Sequence, residues 1–117
     1  MRVYKESRVP EEIVVLEDEV KYSTEIFVGR EDDGELIGVV GLIPIMLTAS
    51  DRFIWMKMVR RPTLSELKEF FRGLDYFTHC HIRLVALGKA KDRRWMQFLG
   101  FTQVYSTHDQ ILYERTV

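Results

Sequence analysis

Few residues in this sequence have the type and spacing of a reactive centre. His79, Cys80 and His81 are adjacent and belong to the types that ligate a metal or supply a nucleophile. A strand, however, sends neighbouring side chains to opposite faces, so Cys80 would point away from both histidines and reads as a small buried filler at the entry to a strand. No metal site is expected. His108 beside Asp109 has the form of an orienting pair, but it lies between two strand-like arms, where a solvated turn is the simpler reading. Ser23, Thr63 and Ser65 lack the context of a nucleophile elbow, and Thr63 is explained by helix capping. Charge is more informative. Residues 1–35 carry 11 acids and 5 bases, a net of −6, whereas residues 36–117 carry 7 acids and 12 bases, a net of +5. Arg60 and Arg61 stand just before one candidate helix, and Lys89, Lys91, Arg93 and Arg94 open another.

The elements that must hold these residues follow from hydrophobic periodicity. Residues 1–22 are read as a helix, because Ile13, Leu16 and Val20 share a helical face and Pro10-Glu11-Glu12 resembles a helix start, although Ile13-Val14-Val15 also suits a strand. Glu25–Gly29 and Leu36–Leu47 are strands joined through the polar turn Glu31–Glu35 with its Asp-Gly pair, and Pro44 marks an irregularity near the far end. Thr48–Asp51 turns the chain into a third strand, Arg52–Val59, completing an antiparallel meander. Trp55, Met56 and Met58 on that strand are of types that line a pocket, though an apolar strand in a small domain is more simply core.

Thr63 with Glu66 three positions later forms a capping box, and Leu64, Leu67, Phe70, Phe71 and Leu74 give the following helix one apolar face to about Asp75. His81–Leu87 is a strand and Ala90–Leu99 a helix ended by Gly100, a residue suited to a left-handed C-terminal position. Phe101–Thr107 and Gln110–Arg115 pair as a hairpin. The fold class is therefore α+β, with helices on both faces of one mixed, mostly antiparallel sheet.

The chain has 117 residues, 46% hydrophobic and 30% charged, which suits a single domain over residues 1–117 and excludes disorder, collagen and coiled coil. No apolar run approaches the roughly 20 residues that cross a bilayer, and MRVYKESRVPEE lacks the apolar centre of a secretory signal. With one cysteine there is no internal disulfide, so the expected setting is soluble, reducing and cytoplasmic. A net charge of −1 argues against general nucleic-acid binding, and the acidic segment 6–35 reads as a solvated face or a dock for a basic partner.

LVALGKAKDRRWMQFLGF (residues 84–101), a strand followed by a helix closing on Leu99-Gly100-Phe101, resembles the last conserved block of GNAT-type N-acetyltransferases. By order of elements the resemblance covers residues 24–117. The Gly88-Lys89 turn and the spacing from Arg94-Trp95-Met96 to Leu99-Gly100-Phe101 look most like short phage-encoded GNAT-like proteins, including internal virion proteins. The family resemblance implies a splayed strand pair whose V-shaped opening holds the pantetheine arm of acetyl-CoA. It implies that the coenzyme is bound by Met58, Val59, Arg60, Arg61, Thr63, Leu64 and Ser65 at the strand-to-helix turn. Lys89 and Arg93, with Lys91 and Arg94, would complete a basic rim for its phosphates. The turn departs from the family in having no glycine, and Pro62 removes one N–H donor.

The position of the family's general-acid tyrosine is Met96, and that of its helix-capping asparagine is Lys89. Residues 53–59 carry no carboxylate, leaving Asp51 and Glu35 as the nearest ones, so no catalytic acid or base is assigned. Two functions are compatible with the resemblance. One is an acetyl-CoA-dependent N-acyltransferase acting on a small-molecule or protein amine. The other is a non-catalytic GNAT-fold phage accessory, internal virion or assembly protein, partnered by phage or host protein and located in the host cytoplasm or the virion.

Overall fold

The computed structural model describes residues 1–14, 17–45, 51–78 and 83–116, apart from the side chains of 17–19, 76–78 and 116. Seven strands make one sheet, β1 (Arg2–Glu6), β2 (Glu25–Arg30), β3 (Leu36–Pro44), β4 (Asp51–Met58), β5 (Arg83–Gly88), β6 (Thr102–Ser106) and β7 (Ile111–Thr116), in the order β1-β2-β3-β4-β5-β7-β6. Helix α1 is Glu17–Tyr22, α2 is Leu64–Thr78, and α3 is Arg93–Phe98, preceded by a 3-10 turn at Ala90–Asp92. Every neighbouring strand pair is antiparallel except β4 with β5. That parallel step needs a long crossover, which α2 supplies.

Each layer follows from residue alternation. Phe27, Val40, Leu42, Ile54, Leu84, Ala86, Ile111 and Tyr113 point to one face, where Leu67, Phe70, Phe71 and Leu74 of α2 and Met96 and Leu99 of α3 close over them. Ile26, Val28, Val39 and Trp55 point to the other face, covered by Val9, Ile13 and Tyr4. The end of α1 is tied to this second layer where Trp55 Nε1 donates to Ser23 Oγ at 2.8 Å. The expected α2 stripe is one residue too long. Leu64, the first residue of α2, is 47% exposed.

The amino-terminal expectation is overturned. Residues 2–6 are an edge strand paired in register from Arg2↔Arg30 to Glu6↔Ile26, and among the described residues of this segment helix is confined to Glu17–Tyr22. Pro10 opens a turn closed by the Ile13 N–H on Pro10 O (3.3 Å) rather than a helix. The physical reason is that β2 would otherwise be an open sheet edge, and Val3 and Tyr4 alternate across its two faces, joining opposite core layers.

Three other boundaries differ slightly. β3 is described as far as Pro44, with Ile45 N–H still reaching Asp51 O, and Met46–Leu47 of the expected strand and Thr48–Ser50 of the expected turn lie outside the described residues. β4 starts one residue early, at Asp51, and the expected Ala90–Leu99 helix divides into the 3-10 turn and α3. Gly100 takes the expected left-handed conformation, with φ +92°.

Candidate active site at the parting of β4 and β5

Among the described residues β4 and β5 pair at three positions, Asp51↔Arg83, Arg52↔Leu84 and Phe53↔Val85. Beyond these, β4 remains laddered to β3 as far as Gly38↔Met58, and β5 remains laddered to β7 as far as Gly88↔Ile111. The two strands therefore separate while each keeps its outer partner, and a slot opens between them. Its closed end is bound by Arg83, which donates to Glu114 at 2.7 Å and to Asp51 at 3.5 Å and so joins β4, β5 and β7. These carboxylates, Glu114 above all, raise the Arg83 pKa further.

The slot wall offers backbone as well as side chains. Val59 N–H donates to Ile37 O (2.9 Å) and Asp51 O accepts from Ile45 N–H (3.2 Å), so the odd-numbered residues of β4 direct their peptide groups toward β3. Because peptide direction alternates along a strand, Met56 and Met58 direct theirs toward β5, from which they have separated. A cavity of about 370 Å³ occupies the slot, walled by Phe53, Trp55, Met56, Ala86, Leu87 and Met96 among others. A wider one of about 830 Å³ adjoins it at the α2 end, with Arg61, Pro62, Thr63, Leu64 and Lys91 at its margin. Met56, Met58, Asp92 and Trp95 line both.

The site residues expected from sequence divide into two groups. Met58, Arg61, Thr63 and Leu64 border the wider cavity together. Val59, Arg60, Ser65, Lys89 and Arg93 line neither cavity. Val59 is 54% exposed. Arg93 is drawn to Gln103, donating to its Oε1 at 3.1 Å. Lys89 contributes backbone to the turn after β5, where its carbonyl accepts from Tyr113 Oη at 3.0 Å.

Arg60 has a different occupation altogether. Its guanidinium donates to Glu66 Oε1 at 2.9 Å, to Glu66 Oε2 at 2.6 Å and to Glu31 Oε1 at 2.6 Å. Glu66 is also the capping-box carboxylate expected from sequence. Thr63 N–H donates to it at 2.9 Å, and Glu66 N–H donates to Thr63 Oγ1 at 3.1 Å. Arg60 first, and then the Thr63 N–H, hold the Glu66 carboxyl down at about 2. The anion position at the N-terminus of α2 is thus filled by the protein's own carboxylate.

Sequence reasoning passed over Asp92, the one carboxylate among the described residues lining the two cavities. Its Oδ2 accepts from Lys89 N–H at 2.9 Å and its Oδ1 from Trp95 Nε1 at 3.2 Å, which locks the turn after β5 onto the slot wall. The signal was available as an acid three residues after the start of the turn, but Lys89 stands where a capping serine or threonine normally draws attention. Met96, 4% exposed, forms slot wall and has no proton to donate. Asp51 and Glu35 do not reach either cavity. The His79-Cys80-His81 group lies outside the described residues. His108 is exposed at its turn, 4.0 Å from Asp109.

An open parallel pair within a mostly antiparallel seven-stranded sheet defines the class of fold as that of the GNAT N-acetyltransferases. Solved structures agree. A spermidine N-acetyltransferase SpeG variant from Vibrio cholerae superposes with TM-score 0.60 at 17% identity, over 77% of this chain and 63% of that one. The Campylobacter jejuni N-acetyltransferase PseH, in complex with acetyl coenzyme A, gives TM-score 0.61 at 15% identity over 79% and 67%. Escherichia coli ElaA gives 0.58 at 16% over 78% and 67%. The chain thus spans about two thirds of the length of these proteins. No family model and no curated protein sequence matches it. The narrower likeness to phage virion proteins finds no support in these comparisons.

Proposed function

We propose that this chain is an acyltransferase that accepts an acetyl thioester of coenzyme A in the β4/β5 slot and passes the acetyl group to an amine. The observation that carries the reading is the loss of pairing after Phe53↔Val85, which exposes strand backbone inside an apolar opening. The residues present fit the pantetheine part of the coenzyme. Met56 and Met58 supply peptide groups for its amides, Ala86 and Leu87 supply an apolar wall, and Arg61 with Lys91 supplies positive charge at the mouth. When bound, the thioester supplies an activated carbonyl carbon.

The amine nitrogen bonds to that carbon as the carbon–sulfur bond breaks. The electron pair leaves on sulfur, and the proton released by the nitrogen goes to solvent or to the departing thiolate. With Met96 in the wall, acceleration comes from juxtaposition and from peptide N–H contacts to the developing oxyanion. The acceptor is a small-molecule amine, the class named by the spermidine enzyme among the structural neighbours. Among the described residues, no helix is long and apolar enough to cross a membrane.

Melting the protein with and without 1 mM acetyl-CoA tests this. Ligand at about a hundred times its Kd stabilises the native state by ~2.7 kcal/mol, a rise on the order of 10 °C for a domain of this size. Ala86→Leu, which narrows the slot, should abolish that rise. An unmoved melting temperature in the parent protein removes the acyltransferase reading.

A second reading is a GNAT-fold accessory or assembly protein without turnover, whose partner is another protein. The filled anion position at α2 and a methionine, Met96, where the family resemblance places a proton-donating tyrosine favour it. Ligand binding without acetylated product, in an assay with spermidine and other primary amines, would select it over the first.

A further inference from the structure

The slot and the N-terminus of α2 differ in how much of a coenzyme A molecule they can hold. The slot is long, apolar and edged by unpaired strand backbone, as an extended pantetheine arm requires. At its mouth Arg61 and Lys91 border the wider cavity, enough positive charge for one phosphate. Beyond that phosphate the next anion would meet the Glu66 carboxylate, which already takes the Thr63 N–H and both terminal nitrogens of Arg60. Arg60 is further held by Glu31 at 2.6 Å. A second phosphate there would face like charge and find Arg60 and the Thr63 N–H already engaged.

We infer that the donor recognised by this chain is an acyl thioester of 4′-phosphopantetheine, and that the nucleotide half of coenzyme A adds nothing to affinity. The inference rests on the acyltransferase reading and deepens it by naming the donor class. The reaction keeps the same balance: an amine N–C bond forms, the C–S bond breaks, and the pantetheine sulfur leaves with the electron pair and ends as a thiol on gaining a proton. Phosphopantetheine occurs free and as the prosthetic arm of carrier proteins. Lys91 at the mouth, with the exposed Lys89 and Arg94 close to it in sequence, suits either a free phosphate or an acidic carrier surface.

Calorimetric titration with acetyl-phosphopantetheine, acetyl-pantetheine and acetyl-CoA tests the inference. Expected are dissociation constants within about threefold for acetyl-phosphopantetheine and acetyl-CoA, with acetyl-pantetheine about tenfold weaker and this gap shrinking as salt rises. Acetyl-CoA binding more than about tenfold tighter than acetyl-phosphopantetheine overturns the inference and leaves the acyltransferase reading standing. Failure of all three to bind overturns both.

Glu66→Gln retains the capping-box geometry, since glutamine serves at that position, while removing the blocking charge. It should tighten acetyl-CoA relative to acetyl-phosphopantetheine about fivefold, and an unchanged ratio argues against the role given to Glu66. An acetylated carrier protein in the same titration assigns the source. Binding tighter than the free arm points to the carrier, equal or weaker binding to the free molecule, and either upholds the shared chemistry.

Discussion

Gly41→Ala tests the packing that holds the slot wall in place. Gly41 lies directly across from Trp55 in the β3/β4 register, and the indole lies over it so closely that an added Cβ would stand 2.1 to 2.3 Å from three indole atoms. Those atoms belong to a fused ring on a buried side chain, so relief requires the whole indole to move, and with it the 2.8 Å bond from Nε1 to Ser23 Oγ. Overpacking of this kind costs about 1–3 kcal/mol, and the disturbed hydrogen bond a further ~0.5–1.5 kcal/mol. Replacing glycine returns ~0.4–1 kcal/mol by restricting the unfolded chain. The expected net loss is about 2 kcal/mol, or roughly 8 °C in melting temperature by circular dichroism. The Trp55→Phe background removes the obstructing atoms, so Gly41→Ala should cost about 1 kcal/mol less there, a coupling that a double-mutant cycle measures. A melting temperature within about 2 °C of the parent, or strict additivity in the cycle, would refute the packing argument. Because Trp55 also walls the slot, the same variant should weaken acetyl-CoA binding.

Two further predictions concern charge. The Glu66 carboxyl is held at about 2, below its ordinary 4.5, so its contribution to stability is complete above that ordinary value and is lost as pH falls through the interval to about 2. Melting curves between neutral pH and pH ~2.5 should therefore show a steeper acid decline for the parent than for Glu66→Gln, and parallel declines would contradict the assignment. Arg115 reaches Asp75 of α2 with two bonds of 3.0 and 2.8 Å and lies over the Phe71 ring at 5.1 Å. Arg115→Ala should cost about 1–2 kcal/mol in urea denaturation and Arg115→Lys should recover only part of it, since lysine offers neither the fork nor the stacking plane. Full recovery by lysine would mean that charge alone matters.

Much of the scaffold was legible residue by residue. The Glu31–Glu35 turn, the Thr63/Glu66 capping box and the left-handed Gly100 are decided by neighbours within a few positions, and each formed where local chemistry placed it. The opening segment was not legible, because Arg2–Glu6 is a strand only by virtue of β2, twenty or more positions away in every register pair. Asp92 escaped notice because its importance comes from two cavities meeting beside it rather than from any motif.

The amino-acid order alone determined the succession of hairpin, third strand, helix, strand, helix and closing strand pair, and with it the class of sheet. It also determined that Met96 itself has no proton to donate, since residue type settles that wherever the fold places it. Only the tertiary structure decided where β4 and β5 part and which partner Arg60 takes. Two adjacent arginines at a helix start look equivalent in sequence. In space one turns to Glu31, which another strand end carries from 29 positions away, and the other borders the cavity mouth. Long-range electrostatics and strand register are properties of the assembled sheet, so no window of neighbouring residues contains them.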